Sequence, residues 1–242
     1  MKNFFYLLSL TLLVSSCQIS ENITINDDGS GTIEMTENRH EPSYMRLVGE
    51  QYGKEDFYKD STYVFSDYIK KYNYNFIKFT PIEQTLFSRY KDVVVHIKKS
   101  SFDKQYKTTF ISHFTKVENI PDLYKTVDYA DDLENNYALT AEKHYYRVSY
   151  SYDNSVFKRI VTMTNPDEQN IQKAEMEAAK AKYGNLGFVQ TYQLTYNFPR
   201  KIKSVSNSSA IISENKKALS ITFPLSDCIA NPEITQLEVV LE

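Results

Sequence analysis

The side chains that could bind a metal or act as nucleophiles are few and far apart in this sequence. Metal ligation and acid–base catalysis need His, Cys or carboxylate groups that converge. His40, His96, His113 and His144 are scattered, and none has a ligand-type partner four residues away within a helix. His96 and His113 fall in segments that read as paired strands, so cross-strand packing is expected there rather than metal. Asp27 and Asp28 sit among Asn26, Gly29, Ser30 and Gly31. This is turn composition, and it lacks the alternating ligands and twelfth-position glutamate of a calcium loop. Asp131 and Asp132 are expected to be solvated charges at a helix end. Gly29 and Gly31 do not open a phosphate-binding helix. There is no Gly-x-Ser-x-Gly elbow, and Cys228 has no evident histidine; it reads as a small buried residue. The expectation is no catalytic residue, no metal, no cofactor and no enzyme activity.

Charge is uneven although the net is only −3. Asp67 to Lys107 holds nine Lys or Arg against four acids, and Glu118 to Glu134 holds six acids and one lysine. The basic stretch, with Lys70, Lys71, Lys98 and Lys99, could face anionic lipid heads or polysaccharide. Tyr68, Tyr72, Tyr74, Phe76 and Phe79 would add sugar or acyl contacts. Ordinary solvated faces are the alternative. Nucleic acid is not expected as a partner of an exported chain at this charge.

Export is read from the first seventeen residues. Lys2 precedes an apolar run from Phe4 to Val14, broken only by Ser9 and Thr11, which closes on Ser15, Ser16 and Cys17. The run is too short for a stable span, which needs about 20 residues, and has the length and small-residue ending of a secretion signal. Cys17 lies at the expected cut, and Cys228 is the only other cysteine.

Val14-Ser15-Ser16-Cys17 resembles the lipobox of bacterial lipoproteins. That resemblance implies cleavage before Cys17, acylation of its sulfur and new amino group, and a palmitate-type anchor; the alternative is an ordinary signal with Cys17 near the cut by chance. With Cys17 acylated only Cys228 would remain, so no internal disulfide is expected. More than one acyl chain makes attachment stable. Gln18, rather than the aspartate associated with inner-membrane retention, implies the outer membrane. The division is then a signal peptide, 1–17, and a single domain, 18–242.

The composition suits a packed body: 41% hydrophobic, 14% aromatic, with 20 Tyr, 14 Phe and no Trp. Alternation predicts hairpins around Asn26–Gly31, around Lys99–Asp103 and around Asp153–Ser155. It also predicts a buried strand at Val93–Ile97, strands at Phe188–Phe198 and Gln236–Leu241, and a pair, Ala210–Ser213 with Ala218–Phe223. Residues 199–207 would continue the 188–198 strand past a bulge at Pro199. Residues 39–60 show no clean period and read as irregular or weakly helical. Helices are expected over 62–74 with Ser61 as cap and from Ile120, with a short helical or extended piece over 82–90. Asn165-Pro166-Asp167-Glu168 is a strong start signal for a helix over 166–183, ending at Gly184. Its stripe, Ile171, Ala174, Ala178 and Ala181 with Met176 and Ala179 to one side, is thin, so the helix should lie lightly held on the outside of the sheet. The fold class is α+β: one mainly antiparallel twisted sheet of seven to nine strands, with about three helices, one (166–183) inserted between strands.

Tyr196–Arg200 running into Ser204–Asn207, Asn231-Pro232, the closing Leu237–Glu242 and the Asn26–Gly31 hairpin together resemble uncharacterised envelope lipoproteins of flavobacteria and their relatives. The resemblance implies an envelope protein and supplies no catalytic residue. The function expected is a membrane-anchored, non-enzymatic binding or assembly module for lipid, glycan or envelope protein. An envelope hydrolase with a non-local site and a purely structural lipoprotein are the alternatives.

Overall fold

In the structure, a computed structural model, residues 17–54, 56–136, 138–184 and 190–242 are described. The expected signal up to Ser16, and the start of the expected 188–198 strand, lie outside the described residues. Strand β1 (Cys17–Ile25) buries Ile23 and Ile25 on one face and exposes Thr24 on the other. It pairs antiparallel with β2 (Gly31–Arg39), from Cys17↔Arg39 to Ile25↔Gly31. The connecting turn is the one its composition predicts. The Asp28 carboxylate accepts from Ser30 N at 2.9 Å and Oγ at 2.6 Å, and Gly29 takes φ 81°. Gly31 has a different reason to be glycine: an added Cβ would lie 2.0 Å from Thr24 O and 2.6 Å from the Phe114 ring.

Eight strands form the larger sheet. It adds β3 (Tyr58–Val64), β4 (Val94–Ser100), β5 (Gln105–Phe114), β8 (Thr191–Asn197), β10 (Ile211–Ile212) and β11 (Ala218–Pro224), in the order β10-β11-β8-β1-β2-β5-β4-β3. A second sheet orders β6 (Tyr146–Tyr152), β7 (Val156–Met163), β12 (Leu237–Leu241) and β9 (Ile202–Val205) as β6-β7-β12-β9. One buried cluster joins them, with Phe157 of the second sheet edge-on to Tyr196 of the first at 5.2 Å.

The expected hairpins are all present, and the class is α+β. Two sheets replace the single one, however, and β1 pairs with β8 in parallel. Residues 202–205 do not continue β8; after Pro199 they cross to the second sheet and pair with β12. Alternation identifies a strand but not its partner.

Seven α-helices occur among the described residues, not three. They are α1 (Glu41–Val48), α2 (Phe65–Lys71), α3 (Asn73–Phe76), α4 (Pro81–Ser88), α5 (Thr126–Asn135), α6 (Pro166–Tyr183) and α7 (Leu225–Ala230). Ser61 does not cap a helix: it pairs with Ile97 inside β3, and α2 begins at Phe65. The β-branched and aromatic run Thr62-Tyr63-Val64 favours the strand. Before α5 the chain makes a 3-10 turn at Leu123–Lys125. Helix α4 has a full capping box between Thr80 and Glu83, and Asn165 Oδ1 caps α6 by accepting from Glu168 N at 3.2 Å.

Helix α6 docks by a face other than the expected one. Ala174, Ala178 and Ala181 are exposed, and Ile171 is 52% exposed. Met176 is the one buried side chain of α6 among the described residues. Gln169 Nε2 donates to Ala230 O of α7 at 3.2 Å. Alanine removes too little apolar surface from water to choose the face; one methionine and one amide do so.

Candidate functional site

Alternation along β1 should place Ile19, Glu21, Ile23 and Ile25 on one face, and it does so with a charge in the row. Glu21 is fully buried. Along β7 the same rule sends Phe157, Arg159 and Val161 inward, and Arg159 is also buried. The two meet between the sheets. Arg159 Nε donates to Glu21 Oε1 and Nη2 to Oε2, each at 3.3 Å. Tyr196 Oη donates to Oε1 at 2.6 Å, and Tyr124 and Tyr192 to Oε2 at 3.0 and 3.2 Å. The Tyr124 and Tyr192 hydroxyls also lie against each other. The rest of the guanidinium is held by Tyr192 Oη at 2.7 Å and by Thr235 Oγ1 and O at 2.6 and 3.2 Å.

This pairing sets the charge state. Burial pushes the Glu21 carboxyl up, but the Arg159 charge and the hydroxyls outweigh it and hold the group below its ordinary range. A buried pair gains little over an apolar one, because desolvation consumes most of the attraction. It does fix the three tyrosines in place.

Tyr124, Tyr192 and Arg159 form one side of a cavity of about 650 Å³, within the few hundred to about 1,000 Å³ typical of small-molecule sites. Ile19 of β1 and Leu225, Cys228 and Ile229 of α7 supply apolar wall. Helix α6 borders it with Glu168, Gln172 and Glu175, so the face that docks α6 is also a polar cavity wall. Glu37 and Asp128 stand on another side. Burial first, and the Asp128 charge second, raise the Glu37 carboxyl. Burial and the neighbouring Asp132 and Asp131 push Asp128 up to about 6. His144, against the rings of Tyr145 and Tyr146 at 5.0 and 4.5 Å, is pushed down by burial to about 4 and is neutral at pH 7. Its Nε2 has no protein partner. The arrangement can hold a ligand with an apolar body and polar groups, and Asp128 can exchange a proton near pH 6.

The residues singled out from the sequence are only partly brought together. Cys17 is the first residue of β1, two positions from Ile19 of the cavity. Cys228 is buried in the cavity wall, its thiol pushed up by burial to about 12, which makes it a poor nucleophile. His96 and His113 are not neighbours: His96 Nε2 meets Asp60 at 2.8 Å and His113 Nδ1 meets Thr32 at 3.0 Å. No group of three or more His, Cys, Asp or Glu able to hold a metal occurs among the described residues. Asp132 is not solvated; it is buried and accepts from Thr140 N and Oγ1 and from Ala141 N. The basic stretch is divided. Lys98 and Lys99 lie near the end of β4, whereas Lys70 and Lys71 lie on α2, past the opposite end of β3. Glu21 and Arg159 were absent from the sequence reading. A charge in register with core isoleucines was the signal available for both.

No family model matches this sequence, and no curated protein matches it. Among solved structures the chain is similar to the NMR structure of the folded domain of the Mycobacterium tuberculosis protein LppM. The TM-score is 0.38 with 10% identity, over 94% of this chain and 90% of that one. The likeness is too distant to carry residues or an activity across. No described helix is long and apolar enough to cross a membrane.

Proposed function

We propose that this chain is a lipid-anchored protein of the bacterial envelope, held at the outer membrane through Cys17, that binds an amphipathic ligand in the cavity beside Glu21 and Arg159. The observation that carries the binding role is the cavity itself: about 650 Å³, with isoleucine, leucine and tyrosine walls over a fixed, fully hydrogen-bonded ion pair. Such a pair gives a rigid polar end without offering a reactive group. Envelope lipid or glycan is the ligand class that such an anchor would bring within reach. Two measurements test the reading. Cys17→Ala should release the chain from membranes; sedimentation unchanged from wild type overturns the anchor. Native mass spectrometry of the detergent-purified chain incubated with envelope lipids and glycans should show an added mass. That mass should disappear in Ile19→Trp, which fills the cavity, at unchanged melting temperature. No added mass on the wild type overturns the binding role.

One observation favours a second reading. The raised carboxyls of Glu37 and Asp128 share the cavity with His144, and a carboxyl poised near 6 is suited to general acid work. An envelope hydrolase would release reducing ends or acyl groups from envelope polymer, and would lose that activity in Asp128→Asn. Turnover unaffected by that substitution removes the reading.

A further inference from the structure

The end of the large sheet where β1 begins gathers features that no part of the cavity uses. Cys17 pairs with Arg39. The Arg39 guanidinium lies 3.0 Å over the Tyr106 ring, Tyr106 stands opposite Lys99, and Lys99 opposite Lys59. Directly opposed residues share a face, so Arg39, Tyr106, Lys99 and Lys59 form one row. Neighbouring strands lie about 4.8 Å apart, so the row crosses roughly 20 Å from β1 to the sheet edge. One residue along, Lys107 stands opposite Lys98 on the other face. Among the described residues the acids at this end are Glu41, which pairs with Arg39 at 2.6 Å, the exposed Glu50, Asp56 and Asp103, and Asp60, which is occupied by His96 and Lys98.

Large apolar side chains project at the same end. Phe102, in the turn between β4 and β5, is 71% exposed, Tyr58 at the start of β3 is 64% exposed, and Met45 on α1, just past the end of β2, is 48% exposed. Isolated exposed apolar groups need no explanation. Apolar tips flanked by a row of cations are the composition of a surface that enters the headgroup layer of a membrane. The opposite end of β1 is the acidic Asp27–Asp28 turn.

We infer that this end of the sheet seats on an anionic phospholipid surface, with Phe102 and Tyr58 entering the interface and Lys59, Lys99 and Lys107 at the headgroups. The orientation rests on Cys17 carrying the anchor, and is independent of whether the cavity holds a ligand. It places the body directly on the bilayer, because Cys17 is itself a strand residue and leaves no spacer.

The chain has no tryptophan, so a single introduced one reports its own depth. Phe102→Trp, Tyr58→Trp and, as the far-end control, Asp27→Trp would be purified as full acylated chains. Each would be placed in vesicles of equal parts phosphatidylethanolamine and phosphatidylglycerol, with or without brominated acyl chains. The nine residues of β1 hold the control about 30 Å from the seated end. The inference expects blue-shifted emission, quenched by bromolipid, at positions 102 and 58 and neither at 27. It also expects quenching to weaken when Lys59→Glu and Lys99→Glu are added. Vesicle-bound protein with unquenched tryptophan at 102 and 58 overturns it. So does a blue shift without bromolipid quenching, which would mean contact with another protein copy, and so does quenching indifferent to the lysine changes. A chain that fails to float with vesicles overturns the anchored reading, and this orientation falls with it.

Discussion

Removing Arg159 while leaving Glu21 is the sharpest test of the buried pair. Arg159→Met keeps much of the side-chain volume but strands a carboxylate that accepts five hydrogen bonds, two of them from Arg159. Taking one partner from a buried pair costs about 3–5 kcal/mol, a large part of the roughly 5–15 kcal/mol that holds a domain folded. The double variant, with Glu21→Met added, has no stranded charge and should be no less stable than Arg159→Met alone. The two changes therefore couple by at least ~2 kcal/mol, where independent sites add to within about 0.5 kcal/mol. The pH dependence supplies a second signature. In the wild type the folded Glu21 pKa is depressed below its ordinary value of 4.5. Its contribution is therefore present above that value and is lost as pH falls through the folded pKa. In Arg159→Met the folded pKa is raised instead. The folded state then binds the extra proton, and the deficit should be widest at pH 7 and narrow towards pH 5. Urea unfolding followed by far-ultraviolet circular dichroism reads both. Additive single costs, or a deficit independent of pH, would refute the account.

Burial raises the folded pKa of Asp122 to about 6 from 3.8, and its Oδ1 has no protein partner. Between those values the folded state holds more protons than the unfolded one, so this group makes stability fall as pH rises from 4 to 6. Asp122→Asn should flatten that slope in a pH series of melting temperatures; a slope identical to wild type counts against it. Gly31→Ala, with its Cβ 2.0 Å from Thr24 O, should cost several kcal/mol, on the order of an overpacked core or more, read by the urea midpoint. Asn165→Ala removes the cap on α6 and should cost about 1 kcal/mol, with faster hydrogen exchange confined to α6. In the wild type, α6 amides should already exchange faster than those of β1, β2 and β5, and equal protection would mean a firmer seat than Met176 alone provides.

The hairpins and the inserted helix were legible because their signals are local: turn residues, period-two alternation and an Asn-Pro-x-Glu start. The order of strands was not, since the β1–β8 pairing joins segments more than 170 residues apart and no local pattern encodes a partner. Ser61 was misread because a helical period can be traced through 62–74, while the β-branched run and the pairing with Ile97 decide the structure. In α6 the alanines looked like a docking stripe, but they contribute too little burial to compete with Met176. The cavity was partly legible. Glu21 among Ile19, Ile23 and Ile25, and Arg159 between Phe157 and Val161, each break an apolar face. That they meet each other, and meet Tyr124 and Tyr192, depends on the packing of two sheets that neither strand announces.

The parallel ladder between β1 and β8 has a consequence for the order of assembly. Among the described strands β1 is made before the others, yet it sits in the interior of the eight-stranded sheet, and one of its two neighbours begins at Thr191. Until that segment has been made, the flank has nothing to bond to. Closing so long a loop is slow, so the β1–β2 hairpin can form early while the β8-facing edge of β1 stays open until late in folding.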